Sequence, residues 1–498
     1  MTPEESMLRP GDTCWRTAMA DRAAVLMDNG PYYEALAAAL PKARRSIHIL
    51  GWTFDPRTVL EPDGRGQPAS EDGRVGRLLI ALAQARPELD VRILCWRMDL
   101  PIAATQGFYP QRAEGLFRDT PVRFRLEKAL PIGACHHQKV VVIDDQVAFS
   151  GGCDISVDRW DSLEHPDRDG RRTMPNGKEH PPRHDVMAVV SGPAAQMLGD
   201  LFRRRWLAAF DEVLGRTPPG DGDAWPDPVK PEYREVRIGL SRTEPAWGGD
   251  PGVNESERLH LAAIASARRT LIFENQYVAS PVIETALARR LQDLDGPEIV
   301  ILTTLRSPSW FDQMTMDRTR AAMVGRLRAF DVYGRFRAFC PVTEGGRGII
   351  VHSKVTIVDD HHLRIGSANL NNRSFGFDTE CDLVIEADRP EDRAQIAAYR
   401  LKMLAHWLGV KESAFEREDE LGGPGVIEAL DRLSVKTGRL VPVENYRQTW
   451  LRNTIAMNHL GDPVDPTDSW QPWVRFRKLS RRTRALLGGA SPAGRNRR

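Results

Sequence analysis

Short apolar runs alternate along this chain with longer stretches in which apolar residues recur every three or four positions. The first pattern predicts buried strands and the second predicts helices. From Tyr32 to Ala43 the spacing is helical, and Arg44-Arg45 then lead into Ser46-Ile47-His48-Ile49-Leu50-Gly51-Trp52, a buried strand. Val75 to Ala85 predicts a second helix, Val91 to Trp96 a second strand, and the alternating Val122 to Leu126 a third. Val140 to Ile143 and Val147 to Ser150 flank a turn at Asp144-Asp145-Gln146. The order then recurs: Ala267 to Phe273 mirrors Ala43 to Ile49, Glu298 to Thr303 mirrors the strand at 91–96, and Phe336 to Cys340 mirrors that at 122–126. Strands alternating with helices indicate α/β layers, and a repeat of about 200 residues is a domain duplication. Residues 1–30 give weak signals, Cys14-Trp15-Arg16 and an Ala-rich stretch.

A Pro/Gly/Asp-rich segment at 217–232 marks the boundary. The expected units are therefore residues 1–216, a linker at 217–232, residues 233–415, and an extension at 416–498. The halves are not fully symmetric. Residues 165–183 are polar and rich in Pro, Gly and charge, without a counterpart in the second half. They are either a lip over a substrate or a plain surface loop.

The repeat carries chemistry. His137, Lys139 and Asp144 form His-x-Lys-x4-Asp, followed by Gly151-Gly152-Cys153-Asp154. His352, Lys354 and Asp359, followed by Gly366-Ser367-Ala368-Asn369, repeat the pattern 215 residues later at every matched position. One copy is a weak signal; two in register are a strong one. The residues from each His onward are β-branched and apolar, so a strand is predicted that places His and Lys, two apart, on one face. The Asp lies seven residues beyond the His and is expected to fix the following turn. A fixed cation disfavours the protonated imidazole, which leaves it available as a nucleophile, and the same cation neutralises a bound anion. Two such strands facing each other suit a phosphodiester: one His attacks phosphorus and the other protonates the departing oxygen.

The doubled motif resembles the phospholipase D superfamily, and the flanking words are similar to those of its phospholipase D type. They are Glu274-Asn275-Gln276-Tyr277, Gly151-Gly152-Cys153-Asp154-Ile155 with Arg159-Trp160-Asp161, and His184-Asp185-Val186 followed by Gly192-Pro193-Ala194-Ala195. Phe202 to Trp206, Asn371-Asn372-Arg373-Ser374 and Asp378-Thr379-Glu380 complete the set, which runs from about residue 40 to about 410. The resemblance implies duplicated α/β/α sandwich domains, related by a pseudo-twofold, with the active site between them. It also implies a two-step reaction through a phosphohistidine, with His137 as nucleophile and His352 as acid. Lys139, Lys354 and Asn369 would bind phosphate, and Asp144 and Asp359 complete the catalytic motif. Asp185 and Glu380 stand as the carboxylates that orient the imidazoles, in an assignment the sequence leaves open. The first half has Asp154 where the second has Asn369, and a carboxylate there is given no phosphate contact. The product would be phosphatidic acid, with head-group exchange as a side reaction. Rival functions are a cardiolipin synthase or nuclease of the same superfamily, or a non-catalytic membrane-binding protein on the same scaffold.

Composition narrows the choice. The 498 residues carry a net charge of +1, but nine basic side chains and no acid lie in 475–498, which leaves the remaining chain at −8. A nuclease body is more usually basic, so no nucleic-acid partner is expected. The tail residues Trp473, Phe476, Leu479, Thr483, Leu486 and Leu487 recur at helical spacing among Arg and Lys, a basic amphipathic helix suited to an anionic lipid surface. Six cysteines show neither a CxxC pair nor metal-ligand spacing, and Cys135 and Cys153 read as free buried thiols. The acidic start and the lack of an apolar span fit a cytoplasmic protein, to which that tail offers a peripheral hold on the membrane. His136, His361 and His362 lack a carboxylate cluster at ligand spacing. A monomer acting on phospholipid at a membrane surface is expected, with no cofactor and no metal, since the lysines do the neutralising.

Overall fold

The computed structural model describes residues 6–444 except 69, 71–72, 98–109, 129, 132, 219–221 and 423–424, together with 462–463. The basic tail at 473–487 lies outside the described residues. In chain order the strands of the first half are β1 (Arg16–Met27), β2 (Ser46–Gly51), β3 (Asp90–Trp96), β4 (Arg123–Glu127), β5 (Val140–Ile143), β6 (Val147–Gly151), β7 (Arg183–His184) and β8 (Val186–Ser191). Those of the second are β9 (Tyr233–Glu244), β10 (Val253–Asn254), β11 (Thr270–Asn275), β12 (Glu298–Leu302), β13 (Phe336–Pro341), β14 (Ile350–Val351), β15 (Lys354–Val358), β16 (His362–Gly366), β17 (Glu380–Glu386) and β18 (Leu440–Pro442).

All but β7 and β14 join one sixteen-stranded sheet, with order β18-β13-β12-β11-β15-β16-β17-β9-β1-β8-β6-β5-β2-β3-β4 and β10 beside β9. Within the sheet the order mirrors itself about the β9–β1 pair. The parallel set β2-β3-β4 answers β11-β12-β13, and the antiparallel β5, β6 and β8 answer β15, β16 and β17. The mixed α/β architecture and the repeat expected from the sequence are both present. β1 and β9, which carry the weld, pair antiparallel from Arg16 with Leu240 to Ala23 with Tyr233.

The sheet is buried on both faces. Along β5, Val140 and Val142 face a core shared by the two halves, while Val141 and Ile143 face the first half's own core. Along β15, Val355 and Ile357 face the shared core and Val358 the second half's. This is why β5 is apolar at every position and β15 carries apolar residues on both faces, with Thr356 and the motif lysine between them. Each such side chain contributes about 2 kcal/mol by leaving water. Helices Pro193–Phe210 and Pro390–Leu408 cover the shared face with Trp206 and Trp407. Helices Asn29–Ala39 and Val75–Ala85 cover the first half's outer face.

Segment 165–183 is fastened rather than free. Arg172 is fully buried, and Asp167 accepts bonds from Thr343 and Gly345 of the second half. All six cysteines are free and buried. Among the described residues no helix is long and apolar enough to cross a membrane.

Candidate active site

Both motifs enter across the seam between the halves. β5 starts at Val140 and β15 at Lys354, so His137 and His352 precede the strands rather than open them. Their backbones pair with the opposite half instead. The His137 amide donates to Thr379 O at 3.0 Å, beside Thr379 N to Cys135 O at 3.0 Å. The His352 amide donates to His184 O at 2.8 Å, just after β14 has paired in parallel with β7.

The orienting carboxylates are exchanged in the same way. His137 Nδ1 lies 3.0 Å from Glu380 Oε2 and 3.1 Å from Ser367 O, all contributed by the second half. His352 Nδ1 lies 2.7 Å from Asp185 Oδ2 of the first half. With Nδ1 of each ring tied to an acceptor, the proton sits there and the Nε2 lone pair is free. Glu380 is itself held by Ser367 Oγ at 2.5 Å and Ser374 Oγ at 2.6 Å. Gly152 explains the glycine after the first motif: a Cβ there would overlap Asp185 Oδ1. Side-chain exposures of 15% and 9% leave each ring only a small accessible edge.

Burial and then the ammoniums of Lys139 and Lys354 hold the His137 imidazolium well below its ordinary range. For His352 the causes are burial, then Lys354, Arg183, Arg159 and Lys139. Each lysine thus bears on the opposite imidazole as well as on its own, which places both rings in one electrostatic site. Burial pushes Lys354 down to about 7 and Glu380 up to about 8. It also raises Asp185, while Lys354 pulls that carboxyl back.

The two lysines are not equivalent. Each ammonium donates to the carbonyl of its own motif histidine. Lys139 Nζ then faces Asp154 Oδ2 at 3.1 Å, whereas Lys354 Nζ donates to the neutral Gln276 Oε1 at 3.2 Å. Asp154 Oδ1 accepts the Trp52 and Thr53 amides, at 2.9 and 3.1 Å. The Asp154 contact with Lys139 is an ion pair without hydrogen-bond alignment, since Oδ2 has no hydrogen-bond partner. In the second half Asn369 is buried, its backbone N–H donates to Ser374 Oγ at 3.0 Å, and its Oδ1 has no partner among the described residues.

Asp144 and Asp359 do not join this group, which corrects their place in the catalytic motif. Each occupies a hairpin turn with two consecutive positive-φ aspartates, Asp144-Asp145 and Asp359-Asp360. Asp144 accepts the amides of Arg44, Arg45 and Ser46, each at 2.7 Å, and Asp359 those of Arg268, Arg269 and Thr270 at 2.5, 2.7 and 2.7 Å. At about 3.3 Å per strand residue they sit roughly 16 Å beyond the lysines. They anchor the start of β2 and β11 and never reach the imidazoles.

Of the other histidines singled out, His136 lies 3.0 Å from Glu127 and His362 lies 2.9 Å from Glu386, so each is paired with a carboxylate other than Glu380 and Asp185. Gln276 and Arg159 stand in flanking words that the family resemblance had singled out, but neither the Gln276 contact with Lys354 nor the place of Arg159 behind His352 was readable from them, and Arg183 carried no signal of its own.

Several known proteins are similar to this chain. The family described as "Cardiolipin synthase, PLD-like domain" matches residues 261–404, which contain the second motif. Phospholipase D beta 2 of Arabidopsis thaliana is 23% identical, over 84% of this chain and 60% of its own length. Phospholipase D A of Dictyostelium discoideum is 25% identical, over 70% of this chain and 31% of its own length. The chain thus spans less than two thirds of these relatives. The crystal structure of phosphatidylserine synthase from Haemophilus influenzae superposes with a TM-score of 0.54 at 14% identity, over 78% of this chain and 88% of that one, and shares the fold.

Proposed function

Since the chain belongs to the phospholipase D superfamily, we propose that it hydrolyses glycerophospholipids to phosphatidic acid and free head group. The observation that carries this reading is the exchanged carboxylate support: Glu380 behind His137 and Asp185 behind His352. His137 Nε2 attacks phosphorus, and the P–O bond to the head group breaks as that oxygen takes a proton from His352 Nε2. Water then attacks phosphorus and gives a proton to His352 Nε2, the P–N bond breaks, and His137 is restored. Lys354, unopposed by a touching carboxylate, and Asn369 hold the equatorial oxygens, with Lys139 beside them. The first step needs His352 protonated, although burial and four cations oppose it at rest. The negative charge of the bound phosphodiester offsets those cations, so proton uptake accompanies substrate binding.

An alcohol in place of water gives phosphatidyl transfer, a reading favoured by the match to the cardiolipin synthase-like domain. The substrate would be met at a membrane surface by a monomeric, cytoplasmic protein, with the basic tail resting on anionic lipid. The test is incubation with phosphatidylcholine and ethanol. Wild type is expected to form phosphatidic acid and phosphatidylethanol, and His137→Ala and His352→Ala to lose at least about a thousandfold in rate. DNA cleavage without lipid turnover would instead favour a nuclease, and lipid binding with no turnover a non-catalytic protein.

A further inference from the structure

Behind the wall that carries Asp185 lies a second cluster, which phosphodiester chemistry leaves unused. Asp28 turns in from the end of β1, His165 from the 165–183 segment, His184 from β7 and His406 from the last turn of helix Pro390–Leu408. One donor atom from each lies within 4.8 Å of all the others. Asp28, His165 and His184 are at most 1% exposed.

Among the described residues three of these donors have no hydrogen-bond partner: Asp28 Oδ2, His165 Nε2 and His406 Nε2. His165 Nε2 is 3.2 Å from Asp28 Oδ1, and His406 Nε2 is 3.8 Å from Asp28 Oδ2, yet neither contact is aligned as a hydrogen bond. They crowd together without being hydrogen-bonded to one another. Within the cluster His184 Nδ1 meets Asp28 Oδ1 at 2.7 Å. The far nitrogens of two rings are held by carboxylates, His165 Nδ1 by Asp161 Oδ2 at 2.9 Å and His184 Nε2 by Glu274 Oε2 at 3.3 Å. Carboxylates placed there fix a ring's tautomer and raise its basicity as a metal ligand. Asp28 adopts φ 71° and ψ 159°, a backbone region costly for anything but glycine, which is accepted where surrounding structure demands it.

We propose that Asp28 Oδ2, His165 Nε2, His184 Nδ1 and His406 Nε2 bind one Zn2+ as a closed structural site. Three imidazoles and one carboxylate are a zinc donor set, and four protein ligands leave no position for substrate. The widest pairs of donors need to close by up to about 1.5 Å to reach tetrahedral spacing. The proton between His184 Nδ1 and Asp28 leaves as the ion binds, with Nε2–H kept on Glu274. The ion ties three ligands of the first half to His406 of the second. It braces His184, whose carbonyl holds the His352 amide and whose neighbour Asp185 orients that ring.

The test uses the untagged full chain, purified without chelator and dialysed against metal-free buffer. Elemental analysis is expected to find one zinc per chain, and stripping with pyridine-2,6-dicarboxylate to lower the melting temperature by several degrees, restored by Zn2+. Refilling the stripped protein with Co2+ is expected to give the intense visible bands of tetrahedral cobalt. His406→Gln, at a partly exposed helix end, is expected to hold at least about tenfold less metal while keeping the wild-type circular dichroism. His165→Gln serves as the second variant if that one misfolds. Wild type with less than about a tenth of an equivalent of zinc and no cobalt bands overturns the proposal, as does metal retained in both variants. The former result would leave the phosphodiesterase reading untouched.

Discussion

Glu380 serves two opposing ends. It has to be anionic to steady a His137 imidazolium, yet burial raises its carboxyl from the usual 4.5 to about 8. The folded protein therefore holds this proton up to about pH 8, the unfolded chain only to about 4.5. The stabilisation from protonated Glu380 is complete below pH 4.5, declines across 4.5–8 and is gone above. Glu380→Gln does not titrate, so its melting temperature relative to wild type should rise as the pH is taken from 5 to 9, while its lipid turnover falls. A flat difference across that range would show that the carboxyl titrates normally. At this scale the sequence was most and least informative. His137, Lys139, His352 and Lys354 were legible because the motif occurs twice in register. The partners Glu380 and Asp185 could not be assigned, because each bond spans more than 160 residues and crosses the seam. Asp144 and Asp359 belong to the motif through spacing alone: what they hold is the backbone that opens the neighbouring strand.

Among elements, those with dense β-branched or strictly helical patterns were readable, and helix Val75–Ala85 lies where its spacing predicts. β1 and β9 were not. β1 reads RTAMADRAAVLM, and its alanines favour helix on propensity, so strand pairing on both edges had to override the local preference. β9 buries Ser241, Arg242 and Thr243, polar residues that hide its pattern, and Arg242 is matched there by Glu255 at 2.9 Å. The 165–183 segment looked like a lip or a loop because its composition is polar. Its centre is instead the buried Arg172, which donates to Pro166 O at 2.7 Å and Glu179 at 2.8 Å and lies 3.4 Å from Asp161. Arg172→Ala removes that cation from a buried network and should destabilise the protein by about 3 kcal/mol in thermal or urea unfolding. A change within about 0.5 kcal/mol would mean the segment contributes nothing to folding.

For the molecule as a whole, the covalent link between the halves matters less than the sheet that joins them. β1 and β9 are paired along their length, and each motif histidine is held by a carboxylate of the opposite half. A protease site inserted beside the exposed Val213, once cleaved, should leave two fragments that co-elute on gel filtration and keep most of the activity. Dissociation on cleavage would show that the connecting chain, and not the sheet, holds the halves together. The exchanged carboxylates set one more condition. Each half owns a carboxylate of this kind but gives it to the imidazole of the other, so neither half alone can orient the ring it carries. Asp154 against Asn369 shows that the halves need not match residue for residue, but a change at a seam position has to suit its counterpart across it.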